Sequence, residues 1–455
     1  MKVHLKKLLK EPNFLSLAGN LTIAFFGLVG FALLARKYPT NEFGEWMLYI
    51  SSGSLIEMFR FGITNTAIVR YLSGTHNDER YNYIGSHGLI GVVVTIGIVV
   101  LLWISILIFP HPINASGYGL FFTWYPFFAI VNLPLNTALV ILQAEQKFAK
   151  MLFLKSINSI GFFSVILLSY LFLNLSLFQL VWAQIFFMSL TSAVCIILGW
   201  DGLRFLLKAT RRTNKTLLDF GKYTTFTLIG TNLLRSADTL IISLSPLGTA
   251  AVALYSIPLK LIDLQQIPLR SFIATAFPKM SKASIQNNIS ELKNVFYTYS
   301  GAMTYLFIAM SLFIFIFANY LVLLLGGHQY LGTDPLTGAS TTQLVRIFAL
   351  CGILFPVETM AGVCLDSINK PNRNFQKVMY MAAANIIGDV IAVFLFKSLA
   401  VVAFVSFIVT FLGVLVGAHF MNKELKMNYS KILVSGVDFY KSAYSKLRNR
   451  NEILQ

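Results

Sequence analysis

The stretch "LAVVAFVSFIVTFLGVLVGAHFM", residues 399–421, contains no Asp, Glu, Lys or Arg, and apolar runs of this length recur along the whole chain. About 20 consecutive apolar residues are what an α-helix needs to cross ~30 Å of hydrocarbon. Lipid offers no hydrogen-bonding partners, so a spanning segment must satisfy its own backbone, which a helix does. The pattern predicts an all-α integral membrane protein with 12 transmembrane helices, near residues 14–35, 43–66, 84–108, 119–142, 156–174, 177–199, 217–243, 248–274, 296–325, 342–364, 378–396 and 399–421. A composition of 56% hydrophobic and 12% charged residues, with a mean hydropathy of +0.69, agrees. The opening "MKVHLKKLLKEPNF" leads into a full-length apolar run without a small-residue cleavage site, so the first helix is expected to be the insertion signal.

The net charge of +17 acquires meaning from where the cations sit. Placed against the 12 spans, 28 of the 36 Lys and Arg residues fall on one side, and only Arg36, Lys37 and Lys397 on the other. Arg60, Arg235, Lys260, Arg270 and Arg346 lie within spans. This bias is the positive-inside pattern and predicts that both termini are cytoplasmic. It accounts for the basic composition as a topology signal and a surface attractive to anionic membrane lipids. Nucleic acid is not expected as a partner, since no soluble platform exists to present bases.

The basic loop "DGLRFLLKATRRTNK", 201–215, divides the spans into six and six. The expected organisation is an N-lobe over 1–200, a basic cytoplasmic linker over 201–216, a C-lobe over 217–421 and an amphipathic tail over 422–455. Residues 43–73 resemble 251–281 when Gly44-Glu45-Trp46 is set on Ala253-Leu254-Tyr255, which brings Arg70 onto Lys279. Six spans per half is an even number, so the halves are expected to be parallel repeats, a plan used by transporters with a central substrate path. In the tail, Tyr429, Ile432, Leu433, Val437, Tyr440, Tyr444 and Leu447 share a helical face, as in a helix lying on the anionic leaflet, or in a tail without an essential task.

The feature that most needs an explanation is charge inside the spans. Span 217–243 contains eleven Leu, Ile, Phe or Val residues, which contribute roughly −3 to −7 kcal/mol to insertion, against roughly +2.5 to +3.5 kcal/mol for each central charge. Pairing lowers that cost. Arg235 and Asp238, Glu57 and Arg60, and Lys260 and Asp263 are each three residues apart, on one helix face. Thr224, Thr227, Thr231, Arg235 and Asp238 form one polar stripe, and Ser256, Lys260, Asp263, Gln266 and Arg270 another. Arg270, Arg346, Glu358 and Asp389 have no such sequence neighbour. Buried pairs can simply join helices, but ionisable residues inside a membrane usually mark a substrate or ion path. The expectation is a polar, partly hydrated cavity between two lobes.

The segment 13–74, with "LLARKYPTNEFGEWMLY" at its centre, resembles the polysaccharide biosynthesis (Wzx-type) flippases of the MOP exporter superfamily. "DTLIISLSPLGTAAVALYSIPLKL" (238–261) and "FPKMS" (277–281) resemble the start of that family's second half. The resemblance implies a MATE/MOP-like fold and the flipping of a polyprenyl-diphosphate-linked oligosaccharide across the bacterial inner membrane, for O-antigen, capsular or exopolysaccharide assembly. It implies basic residues on the second and eighth spans facing the anionic headgroup, here Arg60 with Lys260 or Arg270, and Arg235 joins this path set. Glu57, Asp238, Asp263 and Asp389 are candidates for coupling or charge pairing. No cofactor or metal is expected beyond coupling to an H+ or Na+ gradient, and a polysaccharide polymerase or glycosyltransferases are candidate partners.

The alternatives are a cation-coupled, MATE-like multidrug antiporter and a membrane-embedded glycosyltransferase or polymerase. The chain has no Asp-x-Asp metal pair, and the longest outer stretch, 326–341, is short for a polymerase. Its six histidines, at 4, 76, 87, 111, 328 and 419, form no constellation, and His87 reads as a packed or interfacial residue. Cys195, Cys351 and Cys364 all fall in apolar runs and read as small core residues. A transporter, not an enzyme, is the expectation.

Overall fold

The computed structural model describes residues 12–74, 78–333, 338 and 340–452. In chain order these form α1 (Pro12–Lys37), α2 (Thr40–Gly74), α3 (Asp78–Ile108), the short α4 (Pro110–Ala115), α5 (Gly119–Ala144), α6 (Phe148–Leu171) and α7 (Leu177–Ile197). After a 3-10 turn (Leu203–Lys208) come α8 (Arg211–Ser243), α9 (Gly248–Ile285), α10 (Ile289–Ile316), the short α11 (Ala318–Gly326), α12 (Thr341–Ser367), α13 (Pro371–Val390), α14 (Leu399–Leu425) and α15 (Ser430–Glu452). The protein is an all-α integral membrane protein. Expected span 296–325 falls on two helices, α10 and α11, which part at Phe317, and 378–396 runs from α13 into the turn after it; each of the others falls on one helix.

Eight of them are long and apolar enough by length and composition to cross a membrane: α3, α5, α6, α7, α10, α12, α13 with its following turn, and α14. Three of the others on which spans were expected, α2, α8 and α9, carry the ionisable residues singled out above, and that is what lowers their hydropathy. The side chains of the early residues of the fourth, α1, lie outside the described residues.

Helix ends follow local chemistry. Ser176 and Gln179 form a capping box at the start of α7, and Asn288 and Ser340 accept from backbone amides at the starts of α10 and α12. Prolines occur within α5 (Pro126, Pro134) and α9 (Pro258, Pro268, Pro278). Each lacks an N–H, so Pro268 leaves the Leu264 carbonyl without its helical donor and adds polarity to a membrane helix.

The chain forms two compact units. One takes Met1–Asn232 with Gly248–Ala253, the other Leu233–Leu247 with Leu254–Gln455. In the first unit α5 packs against α2, α3 and α7, and α1 against α6. In the second, α12 packs against α10 and α14, and α15 lies against α10. Its core includes Met280, Phe296, Met360, Cys364, Leu365 and Met421, all buried. Cys195 is likewise buried, and the three cysteines are free thiols.

The amphipathic tail forms α15, which crosses α10 where Gly301 meets Gly436. A Cβ on Gly301 would lie 2.1 Å from the Ile432 carbonyl oxygen, and one on Gly436 would lie 2.6 Å from the Gly301 carbonyl carbon. Tyr440 donates to the Ala302 carbonyl at 2.9 Å. Ile432 is buried in this contact, whereas Leu433 and Val437 of the same predicted face are exposed; the Tyr444 and Leu447 side chains lie outside the described residues.

Candidate functional site

Two polar clusters and one buried ion pair hold half of the ionisable residues expected within spans: Glu57, Arg60, Asp238, Asp389 and Glu358. The first cluster lies wholly within the first unit. Glu57 and Arg60, one helical turn apart on α2, form an ion pair in which the Arg60 side chain is 0% and the Glu57 side chain 21% accessible. Their other partners come from distant segments. Arg60 donates to the Thr95 hydroxyl of α3 at 3.0 and 3.2 Å and to the Ala129 carbonyl of α5 at 2.6 Å. Glu57 accepts from the Tyr125 hydroxyl at 2.6 Å and from the Asn132 and Asn136 amides at 2.9 and 3.2 Å. A buried ion pair tolerates the loss of water when hydrogen bonds satisfy its remaining valences, which happens here. The guanidinium is fully enclosed; only the carboxylate keeps an opening.

The second cluster belongs to the second unit. Asp238 of α8 accepts from the Tyr255 hydroxyl of α9, from the Asn385 amide of α13 at 2.6 Å and from the Ser406 hydroxyl of α14 at 3.2 Å. The same Asn385 amide also donates to Asp389 at 2.8 Å, and the second Asp389 carboxylate oxygen has no partner among the described residues. Two buried carboxylates are thus held on one amide. Two like charges side by side are costly in a low-dielectric site, and a bound cation would offset that cost. The donor set is oxygen-rich, as hard cations require, and contains two carboxylates, short of a three-residue His/Cys/Asp/Glu metal group, none of which occurs among the described residues. Directly after Asp389, the end of α13 opens into a π-helical turn, Ile391–Leu395, a local irregularity common at functional positions.

The third feature is the buried ion pair. Lys377, one of the 28 cations that fall outside the expected spans, is buried on α13, and its counter-ion is Glu358, which has no oppositely charged neighbour three residues away. The Lys377 ammonium donates to the Glu358 carboxylate at 2.6 Å and to the Glu358 carbonyl at 2.9 Å. The chain turns into a helix at Pro371, so residue 377 is already well inside packed protein.

The remaining candidates sit as follows. Asp238 takes its hydroxyl and amide partners from other helices; the Arg235 side chain lies outside the described residues, as do those of Thr224, Thr227 and Thr231. Along α9, Ser256 is buried, Lys260, Asp263 and Gln266 are half-buried and Arg270 is exposed, so burial falls along the predicted stripe. Lys260 and Asp263 both have interaction partners, and Arg270 donates to Gln266 at 3.4 Å. Arg346 is exposed and lies 5.6 Å over the Phe315 ring. His87 is buried, with neither ring nitrogen partnered among the described residues.

The sequence model of the polysaccharide biosynthesis protein family matches residues 11–284, more than half of the chain. The chain belongs to this family. No curated protein matches the sequence. Among solved structures, this polysaccharide biosynthesis protein is similar to the lipid II flippase MurJ in its inward closed conformation, with a TM-score of 0.70 and 15% identity over 95% of this chain and 91% of that one. It is also similar to an inward-facing multidrug resistance MATE family transporter of the MOP superfamily, at TM-score 0.69 and 12% identity over 89% and 95% of the two chains. A MOP superfamily transporter from Pyrococcus furiosus matches at TM-score 0.59 and 12% identity over 92% and 98%. At these identities the likeness establishes the MOP-like fold.

Proposed function

We propose that the protein flips a polyprenyl-diphosphate-linked oligosaccharide across a bacterial inner membrane by alternating access, with both termini cytoplasmic. The assembly served is O-antigen, capsular polysaccharide or exopolysaccharide. Family membership supports a lipid-linked substrate, and the observation that carries the reading is the cationic stripe of α9. There a membrane helix presents half-buried Lys260 and exposed Arg270 on a face shared with Gln266. A diphosphate leaving the headgroup region needs charge-assisted hydrogen bonds to replace water, and such cations supply them. Arg60 is sealed behind Glu57 in this conformation, so first contact falls to Lys260 and Arg270, and Arg60 acts as the residue that positions Glu57. Arg235 joins the path from the preceding helix. The polyprenyl chain stays in lipid.

The cycle is driven by a proton or sodium ion at the Asp238–Asp389 cluster, whose one-sided carboxylate oxygen on Asp389 supports this assignment. Glu57 and Asp263 act through charge pairing. The same acidic cluster favours one second reading, cation-coupled antiport of a drug-like cation, in which the carboxylates and not α9 would meet the substrate. Polymerase or glycosyltransferase partners would dock on the basic cytoplasmic surface.

The test uses purified protein in liposomes that carry a labelled polyprenyl-diphosphate oligosaccharide in the inner leaflet, with an external sugar-cleaving enzyme as reader. Wild type is expected to expose label under an imposed proton or sodium gradient, and Lys260→Ala and Arg270→Ala to fail. No gain over empty liposomes under either gradient sinks the flippase reading and favours antiport.

A further inference from the structure

At one end of the first unit, the segment between α7 and α8 folds back onto α3. Gly202 adopts a φ of +72°, and a Cβ there would lie 2.5 Å from Ile84 Cγ2, so the chain turns where only glycine fits. Gly85 of α3 receives the 3-10 turn directly, since a Cβ on it would lie 2.1 Å from the Phe205 carbonyl oxygen. The seated turn closes one side of a cavity of about 700 Å³ whose lining includes Arg80, Lys147, Arg204, Glu145, Tyr81 and Trp200.

The lining is basic. Glu145 is the one carboxylate among the described lining residues, and it pairs with both Arg80 and Lys147, the latter at 2.6 Å. Arg204 has no ion pair among the described residues and lies 4.8 Å over the Phe205 ring. Two more cations stand on the aromatic walls, Lys150 at 4.4 Å over Trp200 and Lys208 at 5.0 Å over Tyr81. The neighbouring Asp201 is buried at the start of the turn; burial raises its pKa, against the lowering effect of nearby backbone amides and the Arg204 charge.

The chain beside the cavity is apolar. Leu198 of the lining is exposed, its neighbour Ile197 is 82% exposed, and Leu207 of the seated turn is 99% exposed. A soluble anion has no use for such a surface, whereas a lipid offers acyl chains to it. We propose that this cavity binds the headgroup of an anionic phospholipid, with its phosphate between Arg204, Arg80 and Lys147 and its acyl chains against Ile197 and Leu207. A cavity of this size suits a headgroup, and basic pockets at membrane helix ends hold anionic headgroups by this physics. The site is separate from the transport reading above: it lies on other residues, and its ligand is a resident lipid of the leaflet at that end of α3.

Native mass spectrometry of the detergent-purified full chain tests it, with phosphatidylglycerol, cardiolipin and phosphatidylcholine titrated separately. Anionic lipids are expected to remain bound where phosphatidylcholine does not. Arg204→Gln should weaken their binding about five-fold, the effect of one cation at a membrane surface, and Glu145→Gln should strengthen it by a similar factor because it frees Arg80 and Lys147. Because the second variant moves in the opposite direction, a folding defect cannot mimic the pair of results. Equal retention of phosphatidylcholine, or unchanged binding in both variants, overturns the proposal. Displacement of the lipid by equimolar inorganic pyrophosphate would reassign the cavity to a soluble anion. Flipping activity is read in a separate assay, so either proposal can fail alone.

Discussion

The Glu57–Arg60 pair is asymmetric, and that asymmetry yields a sharp expectation. Removing one partner of a buried pair typically costs about 3–5 kcal/mol because the other charge is left uncompensated. Removal of Arg60 leaves Glu57 with three donors already in place, the Tyr125 hydroxyl and the Asn132 and Asn136 amides. Hydrogen bonds to a charged group are worth about 1.5–3 kcal/mol each, so these donors offset much of the loss, and the 21% accessibility of Glu57 admits some water. Removal of Glu57 leaves Arg60 fully buried against one hydroxyl and one carbonyl, both neutral. Glu57→Ala should therefore fall at or above the upper end of the range and Arg60→Ala at or below the lower end, a gap of about 2 kcal/mol. The double variant should be more stable than Glu57→Ala alone, because it no longer buries a lone guanidinium. The assay is thermal denaturation of the detergent-solubilised protein followed by tryptophan fluorescence, with the three variants beside wild type. If Arg60→Ala melts below Glu57→Ala, or if the two losses simply add in the double variant, the reasoning is wrong.

Other consequences follow from the same kind of argument. Lys377→Met leaves Glu358 with the Thr359 hydroxyl at 3.0 Å as its remaining side-chain donor among the described residues, so it should destabilise by about 3–5 kcal/mol; the double variant Lys377→Met, Glu358→Gln should recover part of that in the same melting assay. Thr95→Val removes the hydroxyl that accepts from Arg60 and should cost about 1–3 kcal/mol; a melting curve unchanged from wild type would contradict the network. Asp389→Asn should abolish the response of flipping to an imposed proton or sodium gradient, while binding of the lipid-linked sugar, measured by native mass spectrometry, stays near wild type. Gly436→Leu should displace α15 from α10 and expose the 428–440 segment to protease in detergent, whereas Leu433→Ala, at an exposed position, should not.

The spans were legible because the bilayer imposes one length and one composition on every helix that crosses it. The Glu57–Arg60 pair was legible for a local reason, since three residues on a helix bring two side chains to one face. What surrounds that pair was not. Tyr125, Asn132 and Asn136 lie on a single face of α5, and their spacing of seven and four residues was a usable sign, but no rule of sequence says which helix that face will meet. Asn385 and Asp389, four apart on α13, offered the same kind of signal. Asp238 shows the limit from the other side: its hydroxyl and amide partners come from three other helices, which no spacing in the sequence indicates. Lys377 falls just outside the expected span 378–396 because a basic cluster at 370–377 looks like a loop when the first turns of a helix carry it. Burial, not charge, decided its role, and burial is a property of the packed chain.

The meeting of Gly301 and Gly436 has a practical consequence. Where two backbones touch with no side chain between them, neither helix can slide by even one residue, because the next position brings a Cβ into a space that holds none. The crossing is a keyed joint with a single setting. A spectroscopic probe placed on the far half of α15, beyond Tyr440, would therefore travel as a rigid pointer fixed to α10. Motions of that transmembrane helix could then be followed from a position at the edge of the protein, without disturbing the charged residues buried inside.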